Sequence, residues 1–287
     1  MRSTAIFTFL ALMWLSCTEP APEAETATVP AIAHPAPEGN LFIIGGGKRT
    51  PTLMKAFTDL AGTDEGYALV FAQSSAEPDT SFRYISEELA AHTDLPVIRV
   101  KNADGRQALI DSVSAAKLIF ITGGDQNRFL RDVHADVGGA IRDAYYRGAT
   151  VGGTSAGAAL MSRVMITGDQ REELLYEATY SRLTHGNGVY ASGLGLTDSL
   201  IIDQHFVVRS RYNRLISALA DTEYPAAAGI DESTALVITP GYVTVAGESQ
   251  VVILTRPERT VDRNGKIGLK EMKINIYLQG DTFKIKP

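Results

Sequence analysis

Thr150-Val151-Gly152-Gly153-Thr154-Ser155-Ala156-Gly157-Ala158-Ala159 decides how this chain is read. A short apolar strand runs into Gly-x-Ser-x-Gly, and a small-residue helix is expected over residues 156–161. Strand, sharp turn and helix in that order make a nucleophile elbow. The turn is strained and accepts only small neighbours, which Gly153, Ala156 and Gly157 supply. The Ser155 hydroxyl would then stand at a helix N-terminus, where the dipole favours developing negative charge. The Ala156 N–H becomes a natural oxyanion donor, and Gly124 in the turn after residues 118–122 is a second candidate. The competing reading is a Gly-rich turn that binds phosphate or only packs. Gly45-Gly46-Gly47 also follows a strand, but it lacks the Rossmann spacing and a Walker Lys-Ser/Thr.

Around this block, apolar runs alternate with helical patterns. Strands are expected at 41–44, 67–72, 97–100, 118–122 and 150–153, and helices at 51–61, 81–91, 106–115, 126–133 and 139–147. That alternation predicts an α/β fold with a parallel sheet between helices. From about residue 226 the pattern changes. Short strands at 234–238, 242–246, 250–254 and 273–278 predict a C-terminal antiparallel β extension. In open sheets of this class, ligands bind at the carboxyl ends of the strands.

With 287 residues and 45% hydrophobic content the chain can bury a full core. Its formal charge of −6 argues against nucleic acid as a partner. One Cys rules out a disulfide framework, and no Cys or His cluster has metal-ligand spacing, so neither cofactor nor metal is expected. Residues 1–16 read as an export signal: Arg2, an apolar stretch from Ala5 to Leu15, then Ser16. Cys17 sits where that signal ends, in a pattern similar to a bacterial lipoprotein signal. Trp14 stands where Leu is usual, so plain secretion is the alternative. Residues 17–40, rich in Pro, Ala, Glu and Thr, read as a flexible tether. Residues 41–287 are then the working domain. The membrane is expected as a partner only through the lipid anchor, and a homodimer is a candidate assembly.

A serine nucleophile needs a base. Of the five histidines, His205 closes the apolar run Ser199-Leu200-Ile201-Ile202-Asp203-Gln204-His205-Phe206, and His185 lies in a polar loop. His205 is the better placed. Arg209, Arg211 and Arg214 follow within ten residues, and three guanidinium groups beside a base suit a carboxylate-bearing ligand. A solvated helix start, or pairing with acids elsewhere, explains the spacing equally well. Two acids compete to orient His205. Glu232 follows the apolar run 226–230, whereas Glu173 in Gln170-Arg171-Glu172-Glu173 lies soon after the nucleophile. Glu232 is favoured.

Together these blocks resemble the cyanophycinases, within the serine peptidases similar to dipeptidase E. The matching residues are Thr122-Gly123-Gly124-Asp125-Gln126, Gly152 to Ala159, Asp203-Gln204-His205-Phe206 with Arg209, Arg211 and Arg214, and Gly229-Ile230-Asp231-Glu232-Ser233-Thr234-Ala235. The resemblance implies a class I glutamine-amidotransferase-like fold. It also implies hydrolysis of cyanophycin, a poly-aspartate bearing arginine on each β-carboxyl, to β-aspartyl-arginine dipeptides. On it, Ser155 is the nucleophile and His205 the base. Gln126, Asp203, Gln204, Arg209, Arg211 and Arg214 line the substrate pocket, and Asp203 would receive a substrate guanidinium. Lys48-Arg49 departs from the pattern, which implies acidic residues there. The export signal points to the extracellular branch. An aspartyl or isoaspartyl dipeptidase using the same Ser and His is the second enzyme reading. A non-catalytic surface lipoprotein binding an anion is a third.

Overall fold

The computed structural model describes residues 36–62, 65–101, 105–172 and 179–284. Cys17, the tether before residue 36 and Glu173 lie outside them. Five parallel strands, in the order β1-β5-β4-β2-β3, run from the interior to one edge of an eight-stranded sheet: β1 (Asn40–Ile44), β2 (Ala68–Phe71), β3 (Val97–Arg99), β4 (Leu118–Ile121) and β5 (Thr150–Thr154). The helices between them are α1 (Pro51–Asp59), α2 (Pro78–Ala90), α3 (Arg106–Ala115), α4 (Gln126–Asp132) and α5 (Ala135–Tyr146).

Alternation along each strand explains why both faces are covered. Leu41, Ile43, Ile119, Ile121 and Val151 pack with Val113 of α3 and Val137 and Ile141 of α5. Phe42, Ile44, Leu118 and Phe120 face the other way, against Leu53 and Phe57 of α1 and Ile85 and Leu89 of α2. Successive side chains of a strand point to opposite faces, so a strand buried on both reads as an unbroken apolar run.

The remainder of the chain is α6 (Ala156–Ala159), β6 (Val164–Gln170), β7 (Gly188–Ser192), β8 (Leu200–Gln204), α7 (Tyr212–Asp221), β9 (Ala226–Ile230), β10 (Thr234–Thr239), β11 (Tyr242–Gly247), β12 (Val251–Thr255), β13 (Arg259–Arg263), β14 (Lys266–Lys270), β15 (Ile274–Tyr277) and β16 (Thr282–Phe283). The C-terminal strands divide between two sheets. β10, β11 and β16 extend the main sheet, starting with β10 antiparallel to β1. β12 and β15 instead join β9 and β8 in a second sheet, where β8 and β9 run parallel. The β6–β7 and β13–β14 pairs were not foreseen: β13 and β14 are short and largely exposed, and β6 and β7, mostly buried or half-buried, show no sustained apolar alternation. Helix α5 starts four residues before the expected position. The His134 side chain accepts from the Asp136 N–H and caps a helix that runs through Gly138-Gly139.

Candidate active site

Five strand ends converge. β1 ends in Gly45–Gly47, β4 in Thr122–Gly124, β5 in Ser155, β8 in His205 and β9 in Asp231-Glu232. Ser155 is held at φ 52, ψ −110, and its N–H donates to the Ile44 carbonyl at 3.0 Å. Non-glycine residues avoid this backbone region, and such strain is characteristic of functional turns. The turn closes only because Gly157 is small: a Cβ there would lie 2.2 Å from the Ile121 carbonyl oxygen. Helix α6 has four residues, not the six expected, so a macrodipole contributes little. The individual N–H groups matter instead. Those of Ala156 and Gly124 have no hydrogen-bond partner among the described residues.

His205 also sits at positive φ, 46°. Its N–H donates to the Gly45 carbonyl at 2.6 Å. Its Nε2 lies 2.9 Å from Ser155 Oγ, and its Nδ1 lies 2.5 Å from Glu232 Oε1. An ionised carboxylate only accepts, so Nδ1–H donates to Glu232 and Nε2 is left to accept from the Ser155 hydroxyl. Gly46 makes room for the ring: at φ +116 it has no Cβ, which would otherwise meet the imidazole at 2.3 Å.

One residue missed in the sequence is Asp231. Its Oδ1 accepts from the N–H groups of Val207 and Val208, each at 3.0 Å, and its Oδ2 accepts from the Ser249 hydroxyl at 2.6 Å. The Asp231-Glu232 pair thus holds the histidine turn by its backbone and by its ring. The Gly-Ile-Asp-Glu block was the available signal, but a backbone clamp has no signature of its own.

Burial pushes the His205 imidazole below its usual 6.5. The Arg209 and Arg211 guanidiniums add to that shift and Glu232 opposes it. The neutral, proton-accepting form therefore persists to mildly acid pH. The acid limb of kcat/KM is expected below pH 6.5, and Arg209→Gln, which removes one lowering charge, should move it upward. A pH profile of both proteins checks this; a variant limb displaced downward contradicts it.

Ser155 and His205 open onto a cavity of about 430 Å³ lined by Gly124, Gln126, Asp169, Gln204, Arg209 and Arg211, among others. The arginines differ in kind. Arg214 reaches the same cavity, but its Nε donates to Asp203 Oδ2 at 2.8 Å and its Nη2 to Asp203 Oδ1. Arg211 Nη1 donates to the Gln204 carbonyl and to Gln204 Oε1, each at 2.8 Å. Both are almost fully buried. The pairing explanation, not an open carboxylate grip, therefore describes Arg214. Asp203 does not line the cavity and has no open oxygen for a substrate guanidinium, which corrects that expectation. Asp169 on the unforeseen β6 is an acid that does line it. Arg209 makes no ion pair among the described residues. Gln126 spends its amide N–H groups on the Ile166 and Thr167 carbonyls, which leaves only its oxygen for a ligand.

Removing one partner of a buried ion pair strands the other. Arg214→Ala should therefore cost about 3–5 kcal/mol of stability. Urea unfolding checks this, and an unchanged midpoint would contradict the pairing.

His185, the other candidate base, pairs with Asp221 at 3.2 Å. Among the described residues no group of three or more His, Cys, Asp or Glu could hold a metal ion. No helix among them is long and apolar enough to cross a membrane.

A mostly parallel sheet covered by helices on both faces is an architecture shared with solved peptidases. The structure is similar to that of a peptidase from an acI-B1 Actinobacterium, with a TM-score of 0.62 and 18% identity, covering 86% of this chain and 97% of that one. Residues 41–246 match peptidase family S51. The chain is similar to the cyanophycinase of Trichormus variabilis, 32% identical over 262 residues and covering 85% of each chain. It is likewise similar to that of Geminocystis herdmanii, 31% identical over 268 residues, covering 86% of this chain and 94% of the relative. The chain belongs to peptidase family S51 and is a serine-type peptidase.

Proposed function

We propose that this protein is an exported hydrolase that cuts the aspartyl backbone of cyanophycin and releases β-aspartyl-arginine dipeptides through an acyl-enzyme. The observation that carries the reading is the unbroken line Glu232–His205–Ser155, opening onto a cavity that contains Arg209. Likeness to two cyanophycinases over most of the chain supports the choice of polymer.

In the proposed mechanism His205 Nε2 takes the Ser155 proton as Oγ attacks the backbone carbonyl. Glu232 holds the Nδ1–H tautomer and stabilises the imidazolium that forms. The Ala156 and Gly124 N–H groups receive the oxyanion. His205 then passes its proton to the leaving amine. Water, deprotonated by the same ring, releases the acyl group and restores the Ser155 hydroxyl. The substrate brings one free α-carboxylate and one guanidinium per arginine. Arg209 suits the carboxylate, and Asp169 suits the guanidinium. A serine-directed fluorophosphonate should form one adduct, at Ser155, with hydrolysis lost in step. Loss of activity with Ser155 unmodified would overturn the mechanism.

The same reading makes residues 1–16 the export signal, Cys17 a lipidated first residue and residues 17–40 a tether to the envelope. Lipid-precursor labelling of cells should mark the protein, and Cys17→Ser should release it to the soluble fraction. A wild-type protein found wholly in the medium leaves only secretion.

A further inference from the structure

Strands β13 and β14 form an antiparallel hairpin around Asn264-Gly265, which sit at φ 54 and 75. A two-residue turn with positive φ at both positions fixes the register of a hairpin. That register sets Arg259 directly opposite Lys270 and Arg263 directly opposite Lys266. Residues two apart on a strand share a face, so these cations all lie on one face, in pairs about 13 Å apart. Like charges directly opposite destabilise a hairpin. No described residue relieves them, because all four are exposed and none makes an ion pair among the described residues. Asp262, the only acid on the two strands, lies on the opposite face and accepts from the Gly265 N–H at 2.8 Å. Residues 259–273 hold five Lys and Arg against two Asp and Glu, a net +3 in a chain of −6, so the rest carries −9.

The hairpin continues a ribbon of the second sheet. The Thr255 N–H donates to the Lys273 carbonyl at 3.0 Å, between the β13–β14 pair and the β12–β15 pair. β15 is an edge strand, and Ile274, Ile276 and the following Leu278 are 51%, 53% and 53% exposed. A row of exposed aliphatic residues next to concentrated charge marks a contact surface.

We propose that this ribbon docks on an anionic membrane surface. Arg259, Arg263, Lys266 and Lys270 meet lipid phosphates, and Ile274, Ile276 and Leu278 enter the headgroup region. Cations spread over about 13 Å by 5 Å exceed the reach of one small anion and match distributed negative charge. The aliphatic row gains from lipid and not from a soluble acidic polymer. Membrane contact is otherwise expected only through Cys17. The docking face adds to that contact and depends neither on lipidation nor on the cyanophycin reading.

The full chain carrying Cys17→Ser, which has no site for an acyl chain, tests it by co-sedimentation with phosphatidylcholine vesicles made with and without phosphatidylglycerol. The protein should bind only the vesicles that contain phosphatidylglycerol and should leave them at high salt. Arg263→Gln with Lys266→Gln should weaken binding about 30-fold. Arg259→Gln with Lys270→Gln should do the same, whereas Arg263→Lys should bind like its parent. Ile276→Ser should weaken binding on the order of 10-fold. Thermal midpoints of the charge variants should equal or exceed the parent's, because a like-charge pair is gone. Lost binding is then not lost folding. Equal binding to both kinds of vesicle overturns the proposal, as does undiminished binding in both charge variants or in Ile276→Ser. Tighter binding to soluble poly-aspartate than to anionic vesicles overturns it in favour of an acidic polymer.

Discussion

Ser155→Ala should lower hydrolysis by about 10⁶-fold, the scale on which a serine peptidase loses turnover when its nucleophile is removed. The basis is local. Ser155 Oγ is the atom 2.9 Å from His205 Nε2, and no other hydroxyl among the described residues hydrogen-bonds that nitrogen. Loss of the oxygen should leave the rest intact. The strained turn is held by backbone bonds to Ile44, Ala158 and Ala159, and alanine keeps all of them. Polymer binding should therefore survive, because Arg209 and Asp169 are untouched. Turnover and granule pelleting measured on one preparation check both halves. Near-wild-type turnover would remove Ser155 from the chemistry.

Glu232→Gln should lower turnover by about 10³–10⁴-fold with little effect on polymer binding. Glutamine can still accept from Nδ1–H through its amide oxygen, but it brings no charge to meet the imidazolium. The effect belongs at the lower end of that range, because the Glu232 side chain is 37% exposed and water shares in stabilising the charge. Glu173→Gln should do much less. A paired turnover measurement that ranked the two the other way would transfer the role to Glu173.

Much of this arrangement was legible in the residues. Apolar runs at 41–44, 118–122 and 150–153 marked the buried parallel strands, because a strand covered on both faces has no polar positions to hide. Ser155 and His205 were found because each ends such a run, and strand ends are where open sheets place ligands. Glu232 was found for the same reason. What stayed hidden depends on partners distant in sequence. For Arg211 and Arg214 the spacing left a carboxylate grip, a solvated helix start and pairing with distant acids equally open. Their burial follows from the packing of α7 on the second sheet, which spacing does not reveal. Asp203 looked open for the same reason. The Asp231 clamp and the β6 hairpin carrying Asp169 depend on turn geometry rather than periodicity.

The measurement that bears most directly on the central claim is product analysis after incubating the full-length protein with cyanophycin granules and, separately, with aspartyl dipeptides. The account predicts that the granules dissolve into β-aspartyl-arginine dipeptides as the end product, with aspartyl dipeptides left uncut. Granules that remain insoluble while aspartyl or isoaspartyl dipeptides are hydrolysed to free amino acids would contradict it.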